Sequence, residues 1–262
     1  HPFASIEQVF DTGPMASPEL ELVEPLTLAR EQVVPMLDSL RGLFPSGGLA
    51  RGALVGLQSR AGGARSLALA LSAGVTQQGG WAVYVGLPGL DLGLGADMGV
   101  ALERVAVVDR PAPDQWATVV AALVGGFDLV VIGAPPLVRA GELRRLRARA
   151  RERGSVLLVV GGTRKVAGLH QEAELGLLVD ETTWHGLGHG HGHLQARSVV
   201  VEVSGRRDAA RPRRLSLWLP GPDGRVGLMD DRDHGRHAGA DVDALVAAGD
   251  PGADIVPFPS TG

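Results

Sequence analysis

The stretch that decides the fold is GLQSRAGGARSLALA, residues 56–70. It continues a short apolar run that begins at Ala53, and it leads into a segment whose alanines and leucines favour a helix. An apolar run, a glycine-containing loop and a helix in this order predict a strand, about 53–58, that turns directly into a helix, about 65–78.

The same alternation continues along the chain. Further strands are predicted at 81–86, 104–109, 127–133 and 155–162, and further helices at 113–125 and 140–154. The runs at 127–133 and 155–162 are apolar throughout, as in parallel strands buried on both faces. Strands that alternate with helices predict an α/β fold with a mostly parallel sheet.

The pattern changes after the last of these strands. Three strand-like runs, at 174–186, 194–205 and 212–221, follow one another without an intervening helix. Successive strands of this kind are expected to be antiparallel neighbours. We therefore predict an antiparallel extension at the sheet edge, over about 175–220.

The remaining segments define the predicted domain organisation. Residues 1–25 hold four prolines and no sustained periodicity, which indicates an N-terminal arm, and residues 26–41 have the spacing of a leading helix. The core is assigned to 42–228. The segment 229–262 holds seven aspartates and many glycines, and it is predicted to be a flexible acidic tail.

Composition excludes several classes of protein. The chain of 262 residues is 45% hydrophobic and holds no cysteine, so it can bury a sizeable core but cannot form disulfides or use a thiolate. Its formal net charge of −4 argues against unselective binding of nucleic acid. No apolar stretch is long enough to cross a membrane, and no secretory signal is evident. We expect a cytoplasmic protein with no membrane contact.

The loop within 56–70 has the spacing of a phosphate-binding loop but not its residues. Such a loop has the pattern G-x-x-x-x-G-K-[ST], in which backbone N–H groups and the lysine hold phosphate and the hydroxyl binds Mg²⁺. The four corresponding positions here are Ser59, Ala64, Arg65 and Ser66. Arginine does not replace lysine neutrally, because its planar fork is larger and is aimed differently. We expect a degenerate loop without a nucleotide or other cofactor; an anion site at the helix N-terminus is the alternative.

Two arginine clusters are candidate surfaces for a partner or for DNA. On the helix at 140–154, Leu143, Leu146 and Ala150 share a face that is expected to pack on the sheet. The arginines of that helix should then point outward: Arg144, Arg145, Arg147, Arg149, Arg151 and Arg153. A second cluster lies in or beside a hairpin connection and comprises Arg206, Arg207, Arg211, Arg213 and Arg214. Clustered cations suit DNA phosphates or an acidic protein, and a simple solvated face is the alternative.

Histidines at 185, 189, 191 and 193 raise the question of a metal site. No cysteine or nearby constrained carboxylate completes a ligand set, so we predict a flexible loop between strands 175–185 and 193–204, and no metal. Trp184 and Trp218 are expected to be packing residues at the antiparallel edge. No Ser-His-Asp arrangement is evident.

Three segments together resemble the core of RecA-type ATPases: GGLARGALVGL, QQGGWAVYVG and VGGFDLVVIGAPPL. The resemblance covers roughly residues 40–205 and implies a RecA-like fold. In that family the third segment's strand ends in a metal-associated aspartate, where this chain has Gly133. A catalytic glutamate is expected after the second core strand, where this chain has Leu87 and Pro88. These departures imply that the chain is not an enzyme.

Within RecA-like proteins, the chain most resembles ImuA-type proteins of actinobacteria. The resemblance lies in LFPSGGLARGALVGL, FDLVVIGAPP, RARARERGSVLLV, WHGLGHGHGHLQARSVVVEV and PRRLSLWLPG. It implies a role in damage-induced mutagenesis, beside ImuB, an inactive relative of Y-family polymerases, and an error-prone DnaE-type polymerase. RecA, DNA and a second copy of the chain are further candidate partners.

The sequence therefore predicts a noncatalytic adaptor of mutagenic translesion synthesis. Two alternatives stay open at this point. One is a divergent RecA-like ATPase, which nucleotide hydrolysis would reveal. The other is a DNA-binding regulator of recombination, which salt-dependent affinity for DNA would reveal.

Overall fold

The computed structural model describes residues 33–133, 140–162, 169–188, 191–205 and 211–229. The predicted N-terminal arm at 1–25 lies outside these residues, as does all of the predicted tail beyond Met229. Secondary-structure elements are numbered below in chain order.

The strands and helices alternate through the first two thirds of the chain. The strands are β1 (Val33–Val34), β2 (Leu49–Ala50), β3 (Leu54–Ser59), β4 (Ala82–Val85), β5 (Val105–Val108), β6 (Leu129–Gly133), β7 (Val156–Gly162), β8 (Leu175–Gly188), β9 (His191–Gly205), β10 (Arg213–Trp218) and β11 (Gly227–Leu228). The helices are α1 (Asp38–Arg41), α2 (Ala64–Gln77), α3 (Leu92–Asp97), α4 (Trp116–Leu123), α5 (Ala140–Arg153) and α6 (Leu169–Glu172), and a 3₁₀ turn spans Leu102–Arg104.

Within the described residues, nine strands form one mixed sheet in the order β11-β10-β9-β8-β3-β7-β6-β4-β5. The six strands from β8 to β5 are parallel to their neighbours. Strands β9, β10 and β11 extend the β8 side as antiparallel neighbours. The predicted parallel sheet with an antiparallel edge extension is confirmed.

Alternate side chains of the parallel strands pack against helices on opposite faces of the sheet. On one face, residues such as Val55, Leu57 and Tyr84 are buried together with Leu67 and Leu71 of α2. On the other face, residues of β4, β6 and β7 are buried with Leu143, Leu146 and Ala150 of α5 and with Trp116 and Val120 of α4. This division explains the unbroken apolar runs, because both faces of each central strand are covered.

Of the predicted leading helix at 26–41, the described residues 33–37 are not helical. Val33 and Val34 pair with β2 as an antiparallel strand, and only the four residues of α1 are helical. Pro35 lacks the N–H that a continuous helix requires. The extended backbone at Met36 also passes directly over α2 at Gly74, where an added Cβ would lie 2.5 Å from Met36 Cα.

The hairpin of β8 and β9 is longer than predicted. We predicted a loop between strands 175–185 and 193–204, but pairing continues through Leu187↔Gly192 and Gly188↔His191. Irregular register after Val179 and His185 bends the long ribbon. His185 lies within β8, as the predicted strand 175–185 requires, and His191 and His193 lie on β9.

No helix in the described part of the chain is long and apolar enough to cross a membrane.

Candidate functional site

The loop between β3 and α2 holds the open N-terminus of a long helix. Gly62 and Gly63 have φ angles of 85° and 90°, the left-handed region in which glycine is unstrained. The helix begins at Ala64, and no side chain caps it at Gly63. Because the first N–H groups of a helix have no partner within the helix, this end attracts anions.

A cavity of about 580 Å³ lies over this helix end. Its walls come from the carboxyl ends of β3, β4, β6 and β7, the edge at which parallel α/β sheets bind ligands. All four residues of the predicted degenerate loop line it: Ser59, Ala64, Arg65 and Ser66. The loop that the spacing singled out therefore forms part of the cavity lining.

These loop residues do not reproduce a lysine-based phosphate loop. Ser59, Ala64 and Ser66 are nearly buried, with 5%, 5% and 7% exposure. Arg65 is exposed, and its guanidinium approaches the backbone at Gly89, where an added Cβ would lie 3.4 Å from Arg65 Nη1. The arginine thus lies against the neighbouring loop.

The strand end at Gly133 has no room for a side chain. An added Cβ there would lie 2.2 Å from the carbonyl oxygen of Gly86 and 3.3 Å from Leu87 Cδ2. Backbone atoms essentially never come so close to a Cβ, so a metal-binding carboxylate could enter only if the backbone moved. Leu87 and Pro88 line the cavity where the catalytic glutamate of the resembled family would be expected.

Arg197 is the cavity residue that sequence reasoning missed. It lies on β9, opposite Trp184 on β8, and its guanidinium carbon is 4.9 Å from the centre of the Trp184 ring. Its Nε donates to the carbonyl of Leu219 at 2.8 Å. The residue is only 8% exposed, and burial lowers the pKa of the Arg197 guanidinium. The sequence marks Arg197 only as a charged residue shortly before the apolar run 199–201.

The arginine-rich helix α5 presents most of its arginines to solvent, as predicted. Those that are exposed are Arg144, Arg145, Arg149, Arg151 and Arg153. Arg147 is the exception, because its Nε donates to Glu174 at 2.8 Å and its Nη1 to Glu172 at 3.1 Å. Burial alone would lower the pKa of Arg147, but the two carboxylates outweigh burial and raise it. Arg147 therefore joins α5 to the segment before β8 and is not part of a free surface.

A groove of about 750 Å³ runs along the outer side of α4 and α5. Ala117, Ala121 and Leu146 supply small or apolar surface, and Arg145 and Arg149 also line it. Glu142 and Glu152 lie in the same lining, so the groove is mixed in charge with apolar patches. Such a surface suits a protein partner better than a uniform phosphate backbone.

The second predicted arginine cluster is only partly brought together. Arg214 forms ion pairs with Asp180 and Glu181 of β8. Arg213 Nη1 lies 3.4 Å from the carbonyl oxygen of Gly42, and Arg211 is exposed. Arg206 and Arg207 lie outside the described residues. Of the described members, Arg214 is held by carboxylates, which weakens the case for a DNA surface here.

The histidine segment shows a packing role for its first member. His185 is 4% exposed, its Nε2 lies 2.8 Å from Ser198 Oγ, and its ring meets Trp218 edge-on with centroids 4.8 Å apart. No group of three or more metal-binding side chains occurs among the residues that the structure describes. His189 lies outside those residues. The predicted packing role of Trp184 and Trp218 is confirmed by their contacts with Arg197 and His185.

Comparison with known proteins supports this architecture. A family model described as the MT3502 N-terminal domain matches residues 42–165. A curated relative, the uncharacterized protein Rv3395c of Mycobacterium tuberculosis, is 44% identical over 101 residues. That match covers 38% of this chain and 49% of Rv3395c, so it spans about half the length of the relative.

A solved structure similar to this chain is that of the RadB recombinase. The two match with a TM-score of 0.55 and 19% identity, over 73% of this chain and 97% of the RadB chain. At this identity the likeness concerns the fold alone. The chain has a RecA-like fold, as its sequence predicts.

Proposed function

We propose that this chain is a noncatalytic adaptor in DNA-damage-induced mutagenesis. Its principal partner would be an ImuB-like inactive relative of Y-family polymerases, which acts alongside an error-prone DnaE-type polymerase. The proposal draws its partners from the resemblance to ImuA-type proteins. It draws its lack of catalysis from the geometry of the cavity, and it places the protein in the cytoplasm.

The close approach of Gly133 to the Gly86 carbonyl carries the noncatalytic half of the proposal. A RecA-type ATPase needs a lysine at the phosphate loop and carboxylates that hold the metal and activate water. Here Arg65 takes the place of the lysine and lies against Gly89, and Gly133 has no space for a carboxylate. Both features disfavour Mg²⁺–ATP hydrolysis, so the divergent ATPase is the weaker alternative.

Phosphate release tests this half of the proposal. Purified full-length chain with saturating ATP and Mg²⁺ should release phosphate no faster than a sample without protein. A Mg²⁺-dependent rate that is abolished by Arg65→Ala would contradict the proposal, because the loop would then be a working one.

The outer groove of α4 and α5 supports the adaptor half. Its apolar floor and exposed arginines could bind a partner segment that carries acidic and apolar side chains. Arg145 and Arg149 are exposed, so these two positions can change without loss of the core. We assign the ImuB-like contact to this groove.

Charge reversal tests the assigned surface. Arg145→Glu with Arg149→Glu should weaken capture of the ImuB-like partner at least about tenfold, since two favourable contacts become repulsive. The matched control is Arg110→Glu with Arg225→Glu, which changes the net charge equally at exposed arginines outside α5. Equal losses in both double variants would contradict the assignment and indicate a general charge effect.

The same variants can be used to test binding to DNA, to RecA and to a second copy of the chain. DNA binding that weakens with salt and is lost only in the α5 variant would favour the DNA-binding regulator instead. RecA and a second copy of the chain can be measured in the same capture format.

A further inference from the structure

We propose that the cavity at the degenerate loop binds a phosphoryl group through Arg197, without a metal ion. The Arg197 guanidinium, which lies on β9, would neutralise the charge of the phosphoryl group as a lysine does in a phosphate loop. This inference does not depend on the adaptor function, because it concerns binding alone.

The first observation is an unsatisfied donor in the cavity wall. Arg197 is 8% exposed, and its Nη2 is buried without a hydrogen-bond partner in the described structure. Among the described residues no carboxylate forms an ion pair with Arg197. A buried donor without a hydrogen-bond partner is costly, and an anion that reached Nη2 would remove that cost.

The arginine is also held in place. Its Nε donates to the Leu219 carbonyl, and its guanidinium stacks on the Trp184 ring. The backbone of Arg197 is fixed further, because its N–H donates to the Pro220 carbonyl and its own carbonyl accepts from Leu219. Because two contacts hold the guanidinium, its remaining N–H groups keep a fixed direction.

The second observation is another part of the same cavity lining. There the uncapped N-terminus of α2, a helix of 14 residues, offers the N–H groups that follow Gly63. A helix N-terminus and a guanidinium that line one cavity together match the charge and the several oxygens of a phosphoryl group.

The other charged residues of the cavity are compatible with this ligand. Asp91 lines it, but the carboxylate is exposed and caps α3 by accepting from the N–H of Leu94 at 3.0 Å. Because Gly133 excludes a carboxylate at the metal position, the proposed binding does not require Mg²⁺. This independence of metal separates the site from that of a RecA-type ATPase.

Calorimetry on the full-length chain tests the proposal with three probes: inorganic phosphate, pyrophosphate and ADP. Each is titrated with EDTA and again with Mg²⁺. We expect saturable binding of at least pyrophosphate, with affinity changed less than about threefold by EDTA. If ADP binds much more tightly than pyrophosphate, the natural source is a nucleotide; equal affinities indicate that the phosphoryl group alone is recognised. Both results support the site.

Substitution of the arginine supplies the decisive comparison. Arg197→Met keeps the bulk of the side chain and removes its donors, so binding should weaken at least about tenfold. Arg197→Lys, which keeps the charge but loses the fork, should also weaken binding. Arg225→Met, at an exposed position outside the cavity lining, is the matched control and should bind as the wild-type chain does.

A fluorescence measurement keeps the test informative if Arg197→Met does not fold. Because the guanidinium stacks on Trp184, ligand binding should change the tryptophan emission of the wild-type chain, and Trp184→Phe should remove that change. Absence of saturable binding of all three probes at millimolar concentration would overturn the proposal. So would unchanged affinity in folded Arg197→Met and Arg197→Lys.

Discussion

The substitution Gly133→Ala measures how firmly the cavity excludes a carboxylate. The added Cβ would lie 2.2 Å from the Gly86 carbonyl oxygen, whereas ordinary contacts begin near 3.4 Å. Relief therefore needs a movement of about 1 Å, and the obstructing atom belongs to the backbone between β4 and the next loop. No flexible side chain can absorb the displacement.

The expected cost follows from that geometry. Overpacking a well-filled site costs about 1–3 kcal/mol, and we expect the upper end because backbone must move. Alanine also restricts the unfolded chain more than glycine does, which offsets about 0.4–1 kcal/mol of this destabilisation. A net loss of about 2 kcal/mol corresponds to a fall in the melting temperature of roughly 4–8 °C for a domain of this size.

Thermal unfolding followed by circular dichroism is the assay. The matched control is Gly141→Ala on α5, where an added Cβ meets nothing within 4 Å. That change should leave the melting temperature unchanged or raise it slightly, since alanine favours a helix. A fall of less than about 2 °C for Gly133→Ala would refute the reasoning, because the backbone would then yield easily to a side chain.

Three further predictions follow from particular contacts. Arg147→Ala should cost about 1–2 kcal/mol of unfolding free energy in urea melts, because Glu172 and Glu174 lose their partner; exposed Arg149→Ala should change it by less than about 0.5 kcal/mol. Burial opposes ionisation of Asp128, but hydrogen bonds from the Trp81 N–H and Arg51 outweigh it and lower the pKa of the Asp128 carboxyl. The ionised carboxylate therefore contributes its full stabilisation above the unfolded pKa, about 3.9, and this contribution is lost as the pH falls through the folded pKa. In urea melts, Asp128→Asn should lower the free energy of unfolding by about 1–2 kcal/mol at pH 7, and this difference should shrink below about pH 4. Deletion of residues 230–262 should lower the melting temperature by less than about 4 °C, and a larger fall in calorimetry would mean that this segment packs on the core.

Local pattern was enough to predict most of the fold. The buried strands β6 and β7 are continuous apolar runs, and α5 has an apolar stripe at helical spacing, so each element carries its own signal. The segment around Val33 and Met36 has helical spacing in the sequence, but Val33 and Val34 form a strand. Its extended form depends on a strand partner at Leu49 and on the bare backbone of Gly74, and neither is adjacent in sequence.

The candidate site was predictable in position but not in composition. The spacing of Ser59, Arg65 and Ser66 located the cavity, because a strand that turns into a helix creates the same loop whatever its residues. Arg197 comes from β9, far along the chain, and only the pairing of β8 with β9 brings it to that loop. Arg147 was misassigned to the free surface because helical spacing does not show that Glu172 and Glu174 lie nearby.

Capture of an ImuB-like protein by the immobilised full-length chain, with and without Mg²⁺–ATP, tests the central claim most directly. A noncatalytic adaptor should capture the partner equally in both conditions, within about twofold, because no step of nucleotide hydrolysis controls the contact. Capture that requires Mg²⁺–ATP, or no capture in either condition, would contradict the claim.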